Sequence, residues 1–380
     1  MTRPRLRVGV VGQGFISRAH THAFMQLRQL EVAAEVQPVV LCGHDPRRAE
    51  QNADRWGYER ATVDWQEVVD ADDVDLVCVF TPNDLHHPVT LAALQAGKAV
   101  LCEKPLGLTL DQSREMAAAG EATGALRACS FNYRFMPAVA LAKQLIDEGT
   151  LGRITHYRAR YMQDWGFSAV HNWHHDRARA GTGAIGDYSH IIDLAHHFVG
   201  GIERLSAETL TVSPERADRD GVMRPVSVED AYVASGALVG GGLLSLEASR
   251  VASGHKAQQW IEVNGELGSL WWDMEDLNHL WLHLVADGQR AGFRRIMVTE
   301  AEHPFLSYWW PTGHGLGWEH SLVHQWIGLA QAFAEEGPPP APQATFEDGV
   351  KADAVVDAIA RAAKSGERIA VEYGNGTGQR

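Results

Sequence analysis

The sequence predicts an α/β fold with two domains. Residues 1–126 are expected to form a doubly wound parallel sheet, and residues 127–380 a substrate-binding and oligomerisation domain with a large, mostly antiparallel open sheet. Three observations support this prediction. The chain of 380 residues is longer than one hydrophobic core usually supports. Short apolar strands alternate with helices in the first part, which is typical of a parallel sheet. Strand-like segments follow one another directly in the second part, which favours antiparallel pairing.

The composition excludes several classes of protein. Hydrophobic residues make up 45% of the chain and charged residues 22%, as in soluble globular proteins. The net charge is −14 and no basic run is longer than two residues, which argues against nucleic acid or an anionic membrane as partner. No segment approaches the roughly twenty apolar residues of a membrane span. Because the N-terminus also lacks a signal-peptide core, we expect a cytoplasmic protein.

The cysteines do not indicate a disulfide framework or a zinc site. They are widely spaced in the sequence, at Cys42, Cys78, Cys102 and Cys129. Three of them lie in or at the end of apolar, strand-like runs. We therefore expect four reduced, buried side chains.

A glycine-rich turn follows the first strand at once. The strand Arg7–Val11 leads into Gly12–Ser17, which has the spacing G-x-G-x-x-S of a dinucleotide-binding Rossmann turn. Gly12 permits the tight turn, and Gly14 lets a pyrophosphate approach the backbone. The helix that begins at Ile16 directs its positive end at this position. The first domain is therefore predicted to bind a nicotinamide dinucleotide.

The end of the second strand bears on the choice between NAD and NADP. An acidic residue here normally binds the ribose of NAD, whereas an arginine and a small residue suit the phosphate of NADP. The sequence has Asp45 and Arg47, with Gly43 before them. We expect NAD, and NADP is not excluded. Asp45 also has the alternative role of capping the next helix.

Two later strands of the first domain end in polar residues. Val74–Phe80 is followed by Thr81-Pro82-Asn83, and Ala99–Cys102 by Glu103-Lys104-Pro105. Burying a lysine at a strand end is costly unless it is paired or used. An ordinary ion pair is one interpretation of Glu103-Lys104, and proton transfer is the other. Since ligands of such sheets bind at the carboxyl ends of the strands, we expect these residues to lie at one crevice.

The second domain contains another candidate site. A glycine-rich turn at 181–186 opens a predicted helix that runs to about Val199 and carries Asp187 and His190 three positions apart. A carboxylate beside an imidazole suits general acid/base chemistry. The alternative is a helix-terminal aspartate and a core histidine.

The histidines at 171–175 are too closely bunched for a tetrahedral metal site, and we predict none. The aromatic loop 303–318 either stacks on sugar rings or buries its own tryptophans.

These motifs together resemble one family. Gly12-x-Gly14, Thr81-Pro82-Asn83-x-x-His86 and Glu103-Lys104-Pro105 are similar to the glucose–fructose oxidoreductase / inositol dehydrogenase (Gfo/Idh/MocA) family over nearly the whole chain. The resemblance implies that Lys104 is catalytic, that Glu103 touches the nicotinamide ribose, that Asn83 lies beside the nicotinamide and that Pro105 is cis. It implies cofactor contacts from Gly12, Gly14, Phe15, Ile16, Asp45, Arg47, Thr81, Pro82, Asn83, His86, Glu103 and Lys104.

The resemblance extends to the second candidate site. The family carries an Asp and a His that complete the catalytic set, roles that fall on Asp187 and His190. The family places its Asp four positions before the His, whereas Asp187 lies three positions before His190. The implied substrate-binding residues are Tyr133, Arg134, Gln163, Asp164, Trp165, Trp173, Asp187, His190 and His314.

The implied function is that of an NAD(P)-dependent sugar dehydrogenase. It would oxidise a ring hydroxyl, at C3, of a pyranose, an anhydro-sugar or a glycoside to the ketone. One alternative is a redox-cycling glycosidase, which oxidises, eliminates the aglycone and returns the hydride. Another is a nicotinamide- or sugar-sensing protein on the same fold. The family also implies a homodimer or homotetramer formed through the sheet of the second domain.

Overall fold

The structure is a computed structural model that describes residues 3–167 and 170–374. Contacts between residues divide the chain into two units. The first consists of residues up to Phe135 together with Gly317–Val350, and the second of Met136–Leu316 together with the residues from Lys351 onward. The boundary at 126/127 remains a prediction from the sequence.

The bounds of the regular elements are as follows. The helices are α1 (Phe15–Gln26), α2 (Pro46–Trp56), α3 (Trp65–Val69), α4 (His86–Gln95), α5 (Leu110–Thr123), α6 (Pro137–Asp147), α7 (Arg177–Ala180), α8 (Ala184–Asp187), α9 (His190–Val199), α10 (Glu319–Glu335) and α11 (Phe346–Ser365). The strands are β1 (Arg5–Val11), β2 (Glu35–Cys42), β3 (Arg60–Thr62), β4 (Leu76–Val79), β5 (Ala99–Cys102), β6 (Arg127–Cys129), β7 (Ile154–Met162), β8 (Ile202–Leu210), β9 (Glu215–Ala217), β10 (Met223–Pro225), β11 (Ala231–Leu238), β12 (Leu243–Ser249), β13 (Gln258–Gly265), β14 (Gly268–Asp273), β15 (His279–Leu284), β16 (Arg294–Met297) and β17 (Ile369–Ala370).

The first unit is built on a parallel sheet with the strand order β3-β2-β1-β4-β5-β6. Every residue of β4 is buried, as expected for a parallel strand covered on both faces. Helix α10 packs against α1, and the rings of Phe24 and Trp326 meet edge to face at 5.0 Å. The strand order reverses between β1 and β4, which is where such sheets bind dinucleotides. The predicted doubly wound fold is confirmed.

The second unit is built on a sheet with the order β16-β15-β14-β13-β7-β12-β11-β8-β17. Its pairings are antiparallel except for β7 with β12, so the predicted, mostly antiparallel sheet is confirmed. One face is apolar and includes Tyr157, Ile261 and Trp272, all fully or almost fully buried. Helix α9 packs on this face, where the Tyr157 hydroxyl donates to the carbonyl of Ile191 at 2.9 Å.

The structure corrects two predictions for the second unit. The helix expected to continue through residue 187 to Val199 is broken into α8 and α9, because Tyr188 leaves helical geometry at φ −102° and ψ 22°. The sequence of residues 209–212 also predicts a strand, whereas in the structure that strand lies earlier in the chain, as β8 (Ile202–Leu210). Strands β15 and β16 were not predicted from the sequence.

The cysteines are as predicted: Cys42, Cys78, Cys102 and Cys129 are all buried free thiols. Within the part of the chain that the structure describes, no helix combines the length and the apolar character needed to cross a membrane.

Candidate active site

The turn after β1 can be formed only by a glycine at position 12. Gly12 has φ +131°, and a Cβ atom there would lie 2.2 Å from the carbonyl oxygen of Phe80. Its N–H donates to the carbonyl of Cys42 at 2.9 Å. The turn is therefore held between the carboxyl ends of β2 and β4, with no room for a side chain.

Gly14 provides the open side of the same turn. It is the N-cap of α1, and no heavy atom lies within 4 Å of the position that a Cβ would take. Phe15 is 72% exposed and stacks on Trp318 at 5.8 Å, while Ile16 is half-buried. Since the first N–H groups of a helix have no partner within it, this turn fits the pyrophosphate of a dinucleotide.

Asp45 takes the capping role that the sequence left open. Its carboxylate accepts a hydrogen bond from the backbone N–H of Arg48 at 3.1 Å, and Pro46 occupies the first position of α2. Asp45 and Arg47 are both exposed at the end of β2. Their contacts with the adenosine ribose stay a prediction.

His86 connects two of the predicted motifs. Its fully buried ring lies with Nδ1 2.8 Å from the carbonyl oxygen of Pro105 and Nε2 3.1 Å from that of Thr81. Burial lowers the pKa of His86, against the effect of the two carbonyls. The side chain thus ties the turn at Pro82 and Asn83 to the segment after β5. Cofactor contacts by these residues stay predictions.

Glu103 is a buried carboxylate at the end of β5. Oε1 lies 3.2 Å from Nε2 of His20, and Oε2 accepts from the backbone N–H of Lys104 at 3.2 Å. Burial by itself raises the pKa of Glu103, but the hydrogen bond to His20 and the charge of Lys104 bring that pKa below its ordinary value. Lys104 is half-buried, and the peptide bond to Pro105 is cis, as the family resemblance implies.

Tyr133 and Arg134 lie in a short 3₁₀ helix of the first unit, and both are buried. A guanidinium nitrogen of Arg134 lies 3.3 Å from a carboxylate oxygen of Asp348. The neighbouring Asn132 donates to the hydroxyl of Ser321 at 2.7 Å. The segment is therefore anchored to residues far along the chain, and contact with a sugar stays a prediction.

In the second unit, His190 is the first residue of α9 and is 7% exposed. Its ring centroid lies 6.5 Å from that of Tyr161, which in turn lies 4.6 Å from the ring of Tyr188. The Tyr188 hydroxyl and the indole N–H of Trp165 both donate to Oε1 of Gln163, each at 3.0 Å. These contacts hold the aromatic rings and Gln163 in one polar and aromatic cluster.

Asp187 is held by an arginine that the sequence analysis missed. The fully buried Arg250 donates to the Asp187 carboxylate and, at 3.1 Å, to the carbonyl of His174. Its guanidinium lies 5.2 Å from the ring centroid of Trp165. Because Asp187 ends α8 and His190 begins α9, the prediction that they share one helix is wrong. The sequence did contain a signal for Arg250. Residues alternate between exposed and buried along β12, and position 250, just after the strand, falls on the buried side.

The glycine-rich turn before α8 is held by a second buried carboxylate. Glu229 accepts from the N–H of Gly183 at 2.6 Å and from that of Ile185 at 3.1 Å. A Cβ at Gly183 would lie 2.0 Å from the carbonyl oxygen of Glu229. Burial raises the pKa of Glu229. The turn leading to Asp187 is therefore held in place by Glu229, which lies just before β11.

The remaining predicted substrate residues have different surroundings. Asp164 pairs with Lys256, whose hydrogen bond lowers the pKa of Asp164. Trp173 stacks on His174 at 3.7 Å. His314 lies on an exposed loop with Nδ1 2.8 Å from the carbonyl of Pro311. Over residues 3–167 and 170–374, no group of three or more His, Cys, Asp or Glu side chains is placed to hold a metal ion.

The Arg250–Asp187 pair generates a stability prediction. Replacing Arg250 with Met leaves a largely buried carboxylate without its guanidinium, which we expect to lower the free energy of unfolding by about 3 kcal/mol. Adding Asp187→Asn should recover part of that loss, because the stranded charge is removed. Urea unfolding of both single variants and the double variant measures this coupling. Arg361→Met, at a solvent-exposed ion pair, is the control and should have little effect. Strictly additive losses would contradict a direct coupling.

Comparison with known proteins matches two successive parts of the chain to two family models. Residues 6–131 match the model of an oxidoreductase family with an NAD-binding Rossmann fold, and residues 139–271 match the Gfo/Idh/MocA C-terminal domain. Levoglucosan dehydrogenase of Pseudarthrobacter phenanthrenivorans is 34% identical, covering 94% of this chain and 96% of that protein. D-glucoside 3-dehydrogenase of Escherichia coli is 28% identical, covering 66% and 71%.

Solved structures agree as well. An oxidoreductase domain protein from Kribbella flavida has a TM-score of 0.93 at 38% identity, covering 97% of this chain and 100% of that chain. Levoglucosan dehydrogenase in complex with NADH and levoglucosan has a TM-score of 0.93 at 33% identity, covering 97% and 100%. With both family models matched, the chain belongs to the Gfo/Idh/MocA family of oxidoreductases and carries its NAD-binding Rossmann domain.

Proposed function

We propose that this oxidoreductase oxidises a ring hydroxyl of a pyranose, an anhydro-sugar or a glycoside to the ketone, with C3 as the reacting carbon and NAD as the cofactor. The observation that carries the proposal is the buried Glu103 followed by the half-buried Lys104 at the end of β5. This arrangement occurs in a chain that is similar to levoglucosan dehydrogenase over almost its whole length. The choice of C3 is supported by the similarity to D-glucoside 3-dehydrogenase.

The proposal gives each residue a chemical role. NAD, when bound, supplies the acceptor for the hydride that leaves the carbon. Lys104 donates a hydrogen bond to the substrate oxygen, where negative charge develops as the C–H bond weakens, so it stabilises the transition state more than the ground state. His190 accepts the proton of the same hydroxyl. Asp187, held by Arg250, orients the segment that precedes His190.

The second unit supports a sugar as the substrate class. Trp165 and Trp173 provide flat aromatic faces, and Gln163 and Asp164 provide amide and carboxylate groups beside them. Sugars present apolar faces and hydroxyl rims, which suit such a mixture. We propose these residues, with His314, Tyr133 and Arg134, as the substrate-binding set.

We also propose that the chain forms a homodimer or homotetramer through the outer face of the nine-stranded sheet. On this face Trp271 and Trp281 stack at 4.8 Å. The guanidinium of Arg160 lies 5.0 Å from the ring centroid of Trp260. Aromatic residues and arginine are enriched at protein interfaces. The cytoplasmic location and the absence of a nucleic-acid partner stay predictions from the sequence.

The proposed reaction is tested with purified protein, NAD or NADP, and a panel of levoglucosan, glucose, inositol and a chromogenic glycoside. We expect NADH to accumulate with a pyranose or anhydro-sugar, because the hydride stays on the nicotinamide. Reduced cofactor is followed by its absorbance, and released aglycone separately. Release of aglycone without net NADH would instead favour the redox-cycling glycosidase. No turnover with any sugar, despite measurable NADH binding, would refute the proposed substrate class.

Removing the lysine tests the catalytic assignment. We expect Lys104→Met to lower kcat by about 10²- to 10⁴-fold, because the substrate oxygen loses its charged donor. The Kd for NADH should change little. Stopped-flow turnover and fluorescence titration measure the two quantities. Lys143→Met, at an i,i+4 pair on the surface of α6, is the control and should behave as the parent protein. Unchanged kcat in Lys104→Met would remove this residue from the mechanism.

The proposed interface is tested by placing charge on the sheet. Trp271→Glu combined with Trp281→Glu should reduce the molar mass in solution to that of the monomer, because carboxylates would be buried without partners. Light scattering after size exclusion measures the mass, and circular dichroism checks the fold. Val63→Glu, at an exposed position of the first unit, is the control. An oligomer that survives the double substitution would place the interface elsewhere.

A further inference from the structure

We propose that His20 is a positioning residue for the cofactor site, and that a buried chain of hydrogen bonds from Trp326 through His20 holds the Glu103 carboxylate in a fixed orientation beside Lys104. This inference rests on the proposed function and on the role that the family resemblance implies for Glu103, a contact with the nicotinamide ribose. All four residues belong to the first unit. His20 lies on α1, the helix whose N-terminus faces the glycine turn, and it was not singled out from the sequence.

The structure determines which ring nitrogen of His20 carries the proton. The indole N–H of Trp326 donates to Nδ1 of His20 at 3.1 Å. An indole nitrogen can only donate, so Nδ1 must be the accepting nitrogen. The proton of the neutral ring is therefore on Nε2, which lies 3.2 Å from Oε1 of Glu103. His20 consequently donates to the carboxylate.

Stacking and hydrogen bonds enclose the ring of His20. The aromatic ring of Phe80 stacks on it at 4.2 Å with an interplanar angle of 18°. The Ser130 hydroxyl lies 3.3 Å from Nε2 and donates to the side-chain carbonyl of Gln325 at 3.4 Å. The side chains of His20 and Trp326 are fully buried. Turning the ring would break the hydrogen bonds to Trp326 and Glu103, so these contacts keep its donor directed at Glu103.

Both carboxylate oxygens of Glu103 receive hydrogen bonds. His20 donates to Oε1 and the backbone N–H of Lys104 to Oε2. The other groups that face this carboxylate are the Lys104 ammonium, the Ser130 hydroxyl and the ring of His86 on α4. Two donors fix the plane of a carboxylate and leave further lone pairs for a ribose hydroxyl. The ionised form is an acceptor only, and it accepts from a hydroxyl more strongly than the neutral acid does.

This geometry predicts a dependence on pH. The folded state holds the pKa of Glu103 below its ordinary value, so the carboxylate remains ionised as the pH falls towards that lowered pKa. Without the His20 donor, burial raises the pKa, and Glu103 takes up a proton at a higher pH than in the parent protein. NADH affinity should then begin to fall at that higher pH.

The test uses His20→Phe, which keeps an aromatic ring against Phe80 and removes the donor. The Kd for NADH is measured by fluorescence titration between about pH 5 and about pH 8, together with the melting temperature. We expect a Kd about tenfold higher at neutral pH, with the acidic loss of affinity moved to higher pH. Trp326→Phe should give a smaller shift in the same direction, because His20 remains but its tautomer is no longer fixed.

His324→Phe is the matched control. His324 is another buried histidine of the first unit, and its Nδ1 lies 2.9 Å from the carbonyl of Phe135. Its replacement should lower the melting temperature and leave the pH dependence of NADH binding unchanged. If His20→Phe behaves like this control, His20 only supports packing and the inference is overturned.

A measurement on the parent protein covers the case in which His20→Phe does not fold. Nitrogen-15 NMR of labelled histidines distinguishes the two neutral tautomers, and a signal for His20 protonated at Nδ1 would overturn the inference. Binding of NADH is measured without any sugar, so the outcome is separate from that of the proposed reaction. A chain that oxidises no sugar, yet loses NADH affinity in His20→Phe, would refute the substrate proposal and support the role of His20.

Discussion

The first unit depends on the close approach of Gly12 to the end of β4. Because β1 lies between β2 and β4 in a parallel sheet, the chain leaving β1 must turn against the carbonyl of Phe80, and a Cβ there would lie 2.2 Å away. Only a backbone without a side chain can make that turn. The turn determines where α1 begins, and α1 then carries both the open phosphate end and the buried His20.

Buried charged groups hold the functional segments of each unit in place. In the first unit, His20 and the Lys104 backbone hold Glu103; in the second, Arg250 holds Asp187, and Glu229 holds the turn before α8. Burying such groups costs free energy that apolar packing would not. Their geometry, in return, leaves each group a single orientation. A single orientation matters wherever groups react, since misplacement of reacting groups by about 1 Å costs activity.

The cap formed by Asp45 and the broken helix at Tyr188 show how local sequence and context combine. The Asp45-Pro46 pair is a local signal for a helix start, and the structure forms that cap. The helix break at Tyr188 has no comparable local signal, since the segment carries the apolar residues of a continuous helix. There, the N–H groups of Gly183 and Ile185 donate to Glu229, and Arg250 donates to Asp187, so both ends of α8 are held by residues distant in the sequence.

The amino-acid sequence alone predicts the alternation of strands and helices in the first unit, the glycine turn, the placement of Glu103 and Lys104 at a strand end, and the family resemblance. Those features depend on residues that are neighbours in the chain. The side-chain partners follow from the fold: Arg250 reaches Asp187 across 63 positions, and His20 reaches Glu103 across 83 and Trp326 across 306. Such contacts form only when distant strands and helices pack. Local periodicity reports which face of an element is buried, and it does not report what that face meets.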